Sequence, residues 1–412
     1  MAATTKKKIN LDEILAGFFT EKEISELRAN ILKYNHPSNA NLKLKPGDRE
    51  QINVDVSESY QKEFQFQVIT TLAQQKLNKI RYIEFLLSLG DYAISIGEYE
   101  FAIETHKKIL SGSKSDTNLK NLAANACYSI GEIYSRVAKW TECFDYTKKA
   151  FVLFKQQNDL KGCARCENLL GTVYGERGDL KEAANHFEES LRYLDEKKDA
   201  IFIGKIGINL GIINNIYSNY DQALFYYNRA LINFQRLNDH HKLAQVRHNM
   251  GITYLKKKEY PRALKELDKS IAISLNDSIY SVLGISYVAK AFIYAQMQDT
   301  ELSKAFADKA MELCYKTNDK LSVAEIYKIE GIIKRIQKNY ILAESYLNTS
   351  MRINKEYKNH LNYAETSLEL GILYKEWEKP VKAKAGFRDA LKYFKKIRAV
   401  HEIENIEQYL AD

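Results

Sequence analysis

Four prolines and 18 glycines in 412 residues leave little material for a turn-rich β fold or for long flexible linkers. Helix is favoured throughout. The five cysteines, Cys127, Cys143, Cys163, Cys166 and Cys314, are odd in number and sparse for so large a chain, which suits a reducing compartment better than a disulfide framework. No run of about 18 uncharged apolar residues occurs, so no bilayer span is expected. The segment Met1-Ala-Ala-Thr-Thr-Lys-Lys-Lys has the basic end of a secretion signal, but Asp12 and Glu13 break the apolar stretch that would have to follow. A cytoplasmic protein is the expectation. Charge of one sign is scarce too: Lys plus Arg is 61 and Asp plus Glu 53, a balance of +8, well short of a dedicated nucleic-acid binder.

Reactive constellations are equally hard to find. Cys163-Ala164-Arg165-Cys166 has the spacing of a zinc or dithiol pair, but no second pair supplies the other two ligands zinc needs, and two small apolar residues on a helix explain it better. His240-His241 falls in a turn between helices, and His106, His186 and His248 are scattered as polar surface or groove residues. Gly171 to Gly178 lacks the Gly-Lys-Ser/Thr ending of a phosphate loop. No nucleophile has an evident base. Neither an enzyme nor a metal or cofactor is expected. The 28 tyrosines interleave with basic residues as in a base-stacking surface, yet many fall in slots that a repeat would bury.

What is present is a repeat. Gly131, Gly171, Gly211, Gly251, Gly331 and Gly371 share one constant spacing or a multiple of it, with Ala291 filling the empty slot and Gly90 lying one residue more than a period before the first. Three residues after the small residue stand Tyr134, Tyr174, Tyr254, Tyr294 and Tyr374; twelve after stand Ala183, Ala223, Ala263, Ala343 and Ala383; sixteen after stand Phe187, Tyr227, Leu267, Leu347 and Phe387. Nineteen after, the residue is Ala or Ser in every copy from Ala150 to Ala390. Small residues recur where two helices must approach closely, and large ones recur at spacings that share a helix face. Each unit therefore reads as helix, turn, helix, turn. Between units Asn158-Asp159, Asn238-Asp239, Asn276-Asp277 and Asn318-Asp319 pair a residue that can end one helix in a left-handed turn with one that can cap the next.

This pattern resembles the tetratricopeptide repeat, over residues 83–397 and eight copies. It departs from the family in its period, which exceeds the usual unit by under two helical turns, and in placing residues such as Lys155, Asp195 and Gln235 where a proline often closes the second helix. The longer period is similar to the repeats of kinesin light chain, of Leu-Gly-Asn-repeat spindle adaptors and of the Rap-type phosphatase family of bacteria. The resemblance implies an all-α, right-handed superhelical solenoid. Around it, residues 1–56 are expected as a helical extension and mobile linker, 57–82 as a helix leading into the array, and 398–412 as a capping helix. In the extension, Leu11, Ile14, Leu15, Phe18 and Phe19 form one apolar face and Thr20 with Glu23 has capping-box spacing. Phe64, Val68, Leu72 and Leu77 are expected to pack on the first full repeat, and Val400, Ile403, Ile406 and Leu410 on the last.

In stacked helical hairpins the first helices line the concave wall, so the groove follows from the register. In the third to fifth units it is expected to hold Arg165, Asn168, Thr172, Lys205, Asn209, Asn215, Gln245, His248, Asn249 and Lys256. Amides can both donate to and accept from a bare main chain, and cations can meet acidic side chains. The amides of Asn209 and Asn249, each two residues before its glycine, also resemble the Asn ladder of the spindle adaptors, although the accompanying Arg is Lys205 in one unit and Gln245 in the next. Farther along, Ile285, Val288, Phe292 and Ile332 are expected as an apolar stretch and Glu365, Glu369 and Glu376 as an acidic one. The expected function is a non-enzymatic scaffold or adaptor that takes a peptide segment of another protein, with acidic residues to meet the cations, in this groove. The alternative, from the Rap-type resemblance, is a peptide-responsive sensor-regulator whose N-terminal helices bind an output partner.

Overall fold

A computed structural model describes residues 10–34, 53–113 and 119–411, and among these the fold is all-α, with twenty helices and no strand. Residues 1–9 and 35–52 of the expected extension and linker lie outside the described residues. The chain divides into two compact units, Met1–Val173 and Tyr174–Asp412.

The first unit begins with α1 (Leu11–Phe18), α2 (Glu21–Tyr34) and α3 (Asn53–Lys76). Thr20 and Glu23 form the capping box of α2: the Thr20 amide donates to Glu23 Oε2 at 2.9 Å and the Glu23 amide to Thr20 Oγ1 at 3.4 Å. Ile14, Leu15, Phe19 and Leu27 pack with Phe66, Ile69 and Ala73 of α3 against Phe85 and Leu89 of α4 (Lys79–Ile96). The buried phase of α3 is thus Phe66, Ile69 and Ala73, while Val68, Leu72 and Leu77 flank it. Then come α5 (Tyr99–Gly112), the hairpin α6 (Lys120–Arg136) and α7 (Trp140–Gln156), and the start of α8 (Leu160–Arg177). The second unit holds α9 (Leu180–Arg192), then α10 (Ala200–Ile216) and α11 (Tyr220–Arg236), α12 (His240–Lys256) and α13 (Tyr260–Asn276), α14 (Tyr280–Gln296) and α15 (Thr300–Thr317), α16 (Lys320–Ile336) and α17 (Tyr340–Glu356), α18 (His360–Glu376) and α19 (Pro380–Ile397), and last α20 (Val400–Ala411).

The repeat pattern is a packing code. A Cβ added to Gly211 would lie 2.3 Å from Tyr227 Cε1, one on Gly251 2.7 Å from Leu267 Cγ, one on Gly331 2.6 Å from Leu347 Cγ and one on Gly371 2.5 Å from Phe387 Cδ1. In each of these hairpins the side chain sixteen residues on sits directly on bare backbone. Where the slot holds Ala291 instead, the residue sixteen on is the small Ala307, so a methyl gained on one helix is matched by volume lost from the other.

Turns recur at half the repeat period. Residues 138, 158, 218, 238, 258, 278, 298, 318, 338, 358, 378 and 398 all have positive φ without being glycine, and Gly178 takes the same place. Asn158, Asn238 and Asn318 fill this left-handed position as expected, and Asp159, Asp239 and Asp319 accept from the amides of Gly162, Lys242 and Ser322 at 2.8, 3.0 and 3.1 Å. Asn276-Asp277 does not follow suit. Asn276 ends α13 inside the helix, Ser278 takes the left-handed turn, and Ile279 begins α14 with no side-chain cap.

One core position is chemically unusual. His106, on α5, occupies the slot that holds Phe, Tyr or Leu in five of the other hairpins, where a Cβ on Gly90 would lie 2.5 Å from its ring. It is fully buried and neither ring nitrogen has a hydrogen-bond partner among the described residues, so it is a core residue and not the surface or groove residue expected. Burial pushes its pKa down from 6.5 to about 4. Between these values the unfolded chain binds a proton that the folded chain refuses, so His106 contributes a stability penalty that grows as pH falls from 6.5 to 4. His106→Leu is expected to remove that slope, leaving the variant more stable than wild type by about 2–3 kcal/mol at pH 4.5 in urea unfolding followed by α5 hydrogen exchange. An unchanged slope would show that the imidazole reaches water.

Candidate functional site

Within the second unit, the first helices of successive hairpins, α10, α12, α14, α16 and α18, touch one another in order, while their partners α11 to α19 lie behind them. The first helices therefore form one continuous wall. Its register on α10 and α12 carries Lys205, Asn209 and Ile212, then Gln245, Asn249 and Ile252, of which Ile212 is exposed and the others half-buried.

Asn209 is half-buried with no hydrogen-bond partner among the described residues, and the Nδ2 of Asn249 is buried with none. The buried Asn249 donor holds unmet hydrogen-bonding capacity, and the Asn209 amide is left to solvent or a ligand. Beside them stand two lysines. Burial lowers the pKa of Lys205, opposed by Asp239; burial lowers that of Lys242 as well, reinforced by the like charge of Lys205. Lys242 Nζ donates to Gln245 Oε1 at 2.8 Å, one turn along the same helix. The wall thus brings Lys205, Asn209, Gln245 and Asn249 into one polar surface and adds Lys242. Lys242 precedes Gln245 by three residues and shares its face, a signal that helical spacing carries.

The other candidates are placed differently. Arg165 and Asn168 lie on α8 in the first unit. The Arg165 guanidinium donates to Asn125 Oδ1 at 3.1 Å and stacks 4.0 Å from the Tyr128 ring centroid, which spends its charge on its own wall. Asn168 is half-buried, and its carbonyl accepts from Thr172 Oγ1 at 3.0 Å. Asn215 is buried, and its Oδ1 has no partner among the described residues. His248 Nδ1 lies 3.2 Å from Ser286 Oγ, and burial pushes its pKa down to about 4; it is a neutral tie between α12 and α14. Lys256 donates to Glu402 Oε1 of α20 at 3.1 Å.

The apolar and acidic stretches also need correction. Val288 and Ile332 are buried between helices, leaving Ile285 and Phe292 as the half-exposed pair. The acids are neutralised from α16: Lys328 Nζ contacts Glu325 Oε1 at 2.7 Å and Glu365 Oε2 at 2.8 Å, and Arg335 pairs with Glu376 and, at 3.5 Å, with Glu369. A cation one hairpin earlier that reaches the next first helix is visible only once the helices are stacked. Cys163 and Cys166 are both buried on α8, and burial raises both thiol pKa values, so neither has thiolate character. Among the described residues no cluster of three His, Cys, Asp or Glu could hold a metal ion, and no helix is long and apolar enough to cross a membrane.

Comparison with known proteins agrees with this architecture. The tetratricopeptide-repeat profile matches residues 122–196, 206–276 and 322–396, more than half of the chain, and a second profile of the same repeat matches residues 285–317. The chain belongs to the tetratricopeptide-repeat family. It is 22% identical over 207 residues, 50% of its length, to the transcriptional activator NprA of Geobacillus stearothermophilus, and spans about half (51%) of that relative. Among solved structures it is similar to aspartyl phosphate phosphatase F from Bacillus subtilis, at 12% identity and a TM-score of 0.63, covering 98% of this chain and 97% of that one. It is also similar to the Rap conjugation gene regulator of plasmid pLS20 in complex with the Phr* peptide, at 14% identity and a TM-score of 0.56, covering 93% and 96%. Such likenesses define a fold shared along nearly the whole chain.

Proposed function

We propose that this chain is a non-enzymatic protein-binding scaffold of the cytoplasm, and that it takes an extended peptide segment with acidic residues against the wall formed by α10 and α12. Support comes from Asn209 and Asn249, amides on neighbouring helices, the second with a buried donor that has no partner among the described residues, flanked by Lys205 and Lys242. An extended main chain supplies acceptors at the spacing of such amides, and partly desolvated ammonium groups attract carboxylates. Arg165 and Asn168, in the first unit, would offer a contact of that unit's own.

The test is a pull-down from native lysate with wild type beside the Lys205→Ala, Asn209→Ala, Asn249→Ala triple variant. Each lost contact costs roughly 1–3 kcal/mol, so a partner captured by wild type should vanish from the variant, whose helices remain folded by circular dichroism. Equal capture by both would move binding to another surface.

A second reading is favoured by the reach of the structural likeness, which includes the N-terminal helices as well as the repeats. Here the chain is a peptide-responsive regulator in which α1–α3 contact an output partner. The peptide-bound Rap neighbour makes this reading concrete. A partner whose capture is retained by the triple variant but lost on charge reversal of exposed α2 residues such as Glu21 would favour it.

A further inference from the structure

The last helix makes a contact out of proportion to its sequence position. Helix α20 begins at Val400, one repeat period after His360 starts α18, and so stands where the first helix of a ninth hairpin would stand. Its Glu402 reaches Lys256 on α12, 146 residues earlier, with Nζ to Oε1 at 3.1 Å and both side chains mostly withdrawn from solvent, 28% and 17% exposed. Nearby, burial raises the pKa of Tyr217, just after α10, against the opposing charge of Arg398 at the α19–α20 turn. Ile403 and Ile406 of α20 also share one apolar cluster with Ile213, Ile216 and Tyr217 at the end of α10, so the carboxyl ends of α10 and α12 are both met by the final helix, inside one compact unit.

Of the residues of α20 only Ile406 is fully buried; Ile403, Tyr409 and Leu410 pack half-buried against the same apolar cluster, Tyr409 stacks on Phe387 at 5.0 Å, Glu407 pairs with Lys395 at 2.8 Å, and Val400, expected to be apolar seating, is exposed. Arg398, in the left-handed region, and the buried Ala399 make the turn from α19, of the same kind that joins the other helices. The second oxygen of Glu402, Oε2, is buried without a hydrogen-bond partner among the described residues. A half-satisfied carboxylate weakens the ion pair that contains it and leaves the pair open to exchange.

We propose that α20 is a latch on the inner wall of the second unit: Glu402 holds Lys256 in the place of an acidic side chain of the bound segment, and a ligand carrying such a side chain takes Lys256 over as the latch opens. This deepens the wall-binding function proposed above and rests on it for its biological role, but the latch itself is testable with no ligand present.

The experiment is hydrogen–deuterium exchange on the full chain, comparing wild type with Lys256→Ala, Glu402→Gln and the charge-swapped pair Lys256→Glu with Glu402→Lys. Each single variant should raise exchange of the α20 amides about ten-fold while α19 keeps its wild-type protection, and the swapped pair should restore α20. Unchanged α20 protection in both single variants, or loosening spread evenly over every helix, would overturn the latch. Either result is independent of whether Asn209 and Asn249 bind a partner, so failure of the latch and failure of the wall are separable.

Discussion

Gly251→Ala is expected to destabilise the protein by roughly 1–3 kcal/mol, the range for overpacking a well-filled core, read as a lower midpoint in urea unfolding. The direction is informative because helix propensity alone predicts a gain of about 1 kcal/mol from replacing a mid-helix glycine by alanine. Packing should win here. The new methyl would lie 2.7 Å from Leu267 Cγ, 2.9 Å from its Cδ2 and 3.3 Å from the Ala263 carbonyl oxygen, and the last of these is backbone that cannot turn aside. Leu267→Ala alone removes a fully buried side chain and should cost about 2–5 kcal/mol. Combined, the two should cost about 1 kcal/mol or more below their sum, because the double variant recreates the Ala291 and Ala307 arrangement that the chain already uses two helices away. Strict additivity would mean that the repeat pattern is not a steric code.

Lys328→Met is expected to cost roughly 2–4 kcal/mol at neutral pH. Lys328 is 3% exposed and lies between Glu325 and Glu365, and removing it leaves two carboxylates facing each other without their counter-charge. The cost falls at the lower side for a buried pair because 34% of the Glu365 side chain reaches solvent. Burial already raises the pKa of Glu325, whereas in Glu365 the ammonium of Lys328 overcomes burial and lowers it. Without Lys328 the Glu325 carboxyl should rise further above its ordinary value of 4.5 and that of Glu365 should rise as well, opposed by the remaining charge of Lys256, so the folded variant takes up protons that the unfolded chain has released. Acidification from neutrality towards 4.5 should therefore narrow the gap to wild type. Adding Glu325→Gln and Glu365→Gln to Lys328→Met should recover most of the loss at neutral pH. A pH-independent penalty would assign the effect to packing of the lysine stem.

The array is legible in the sequence because its determinants are local. Gly211 and Tyr227, or Gly371 and Phe387, are sixteen residues apart in one hairpin, so the pattern that packs them is written within a single unit. The Asn-Asp turns are legible for the same reason. Asn276-Asp277 misleads because composition marks a turn without fixing its phase, and the half-period count places the left-handed residue at Ser278. The wall is legible only in part. Lys205, Asn209 and Asn249 follow from the register, but whether a wall residue is already engaged depends on a neighbour from another hairpin: Asn125 for Arg165, Ser286 for His248, and Glu402 for Lys256. Glu365, Glu369 and Glu376 read as an acidic surface in the sequence because Lys328 and Arg335 reach them only after α16 and α18 are stacked.

Peptide binding on the wall of α10 and α12 is tested most directly by site-specific photo-crosslinking. A photoreactive amino acid replaces Ile212, exposed beside Asn209 on α10, or, as a control, Phe225, exposed on α11 behind the wall. Irradiation in native lysate should yield a discrete crosslinked partner from position 212 and none from position 225, and the Lys205, Asn209 and Asn249 alanine substitutions should abolish the adduct. A partner crosslinked from position 225 but not from 212 would contradict binding at the wall.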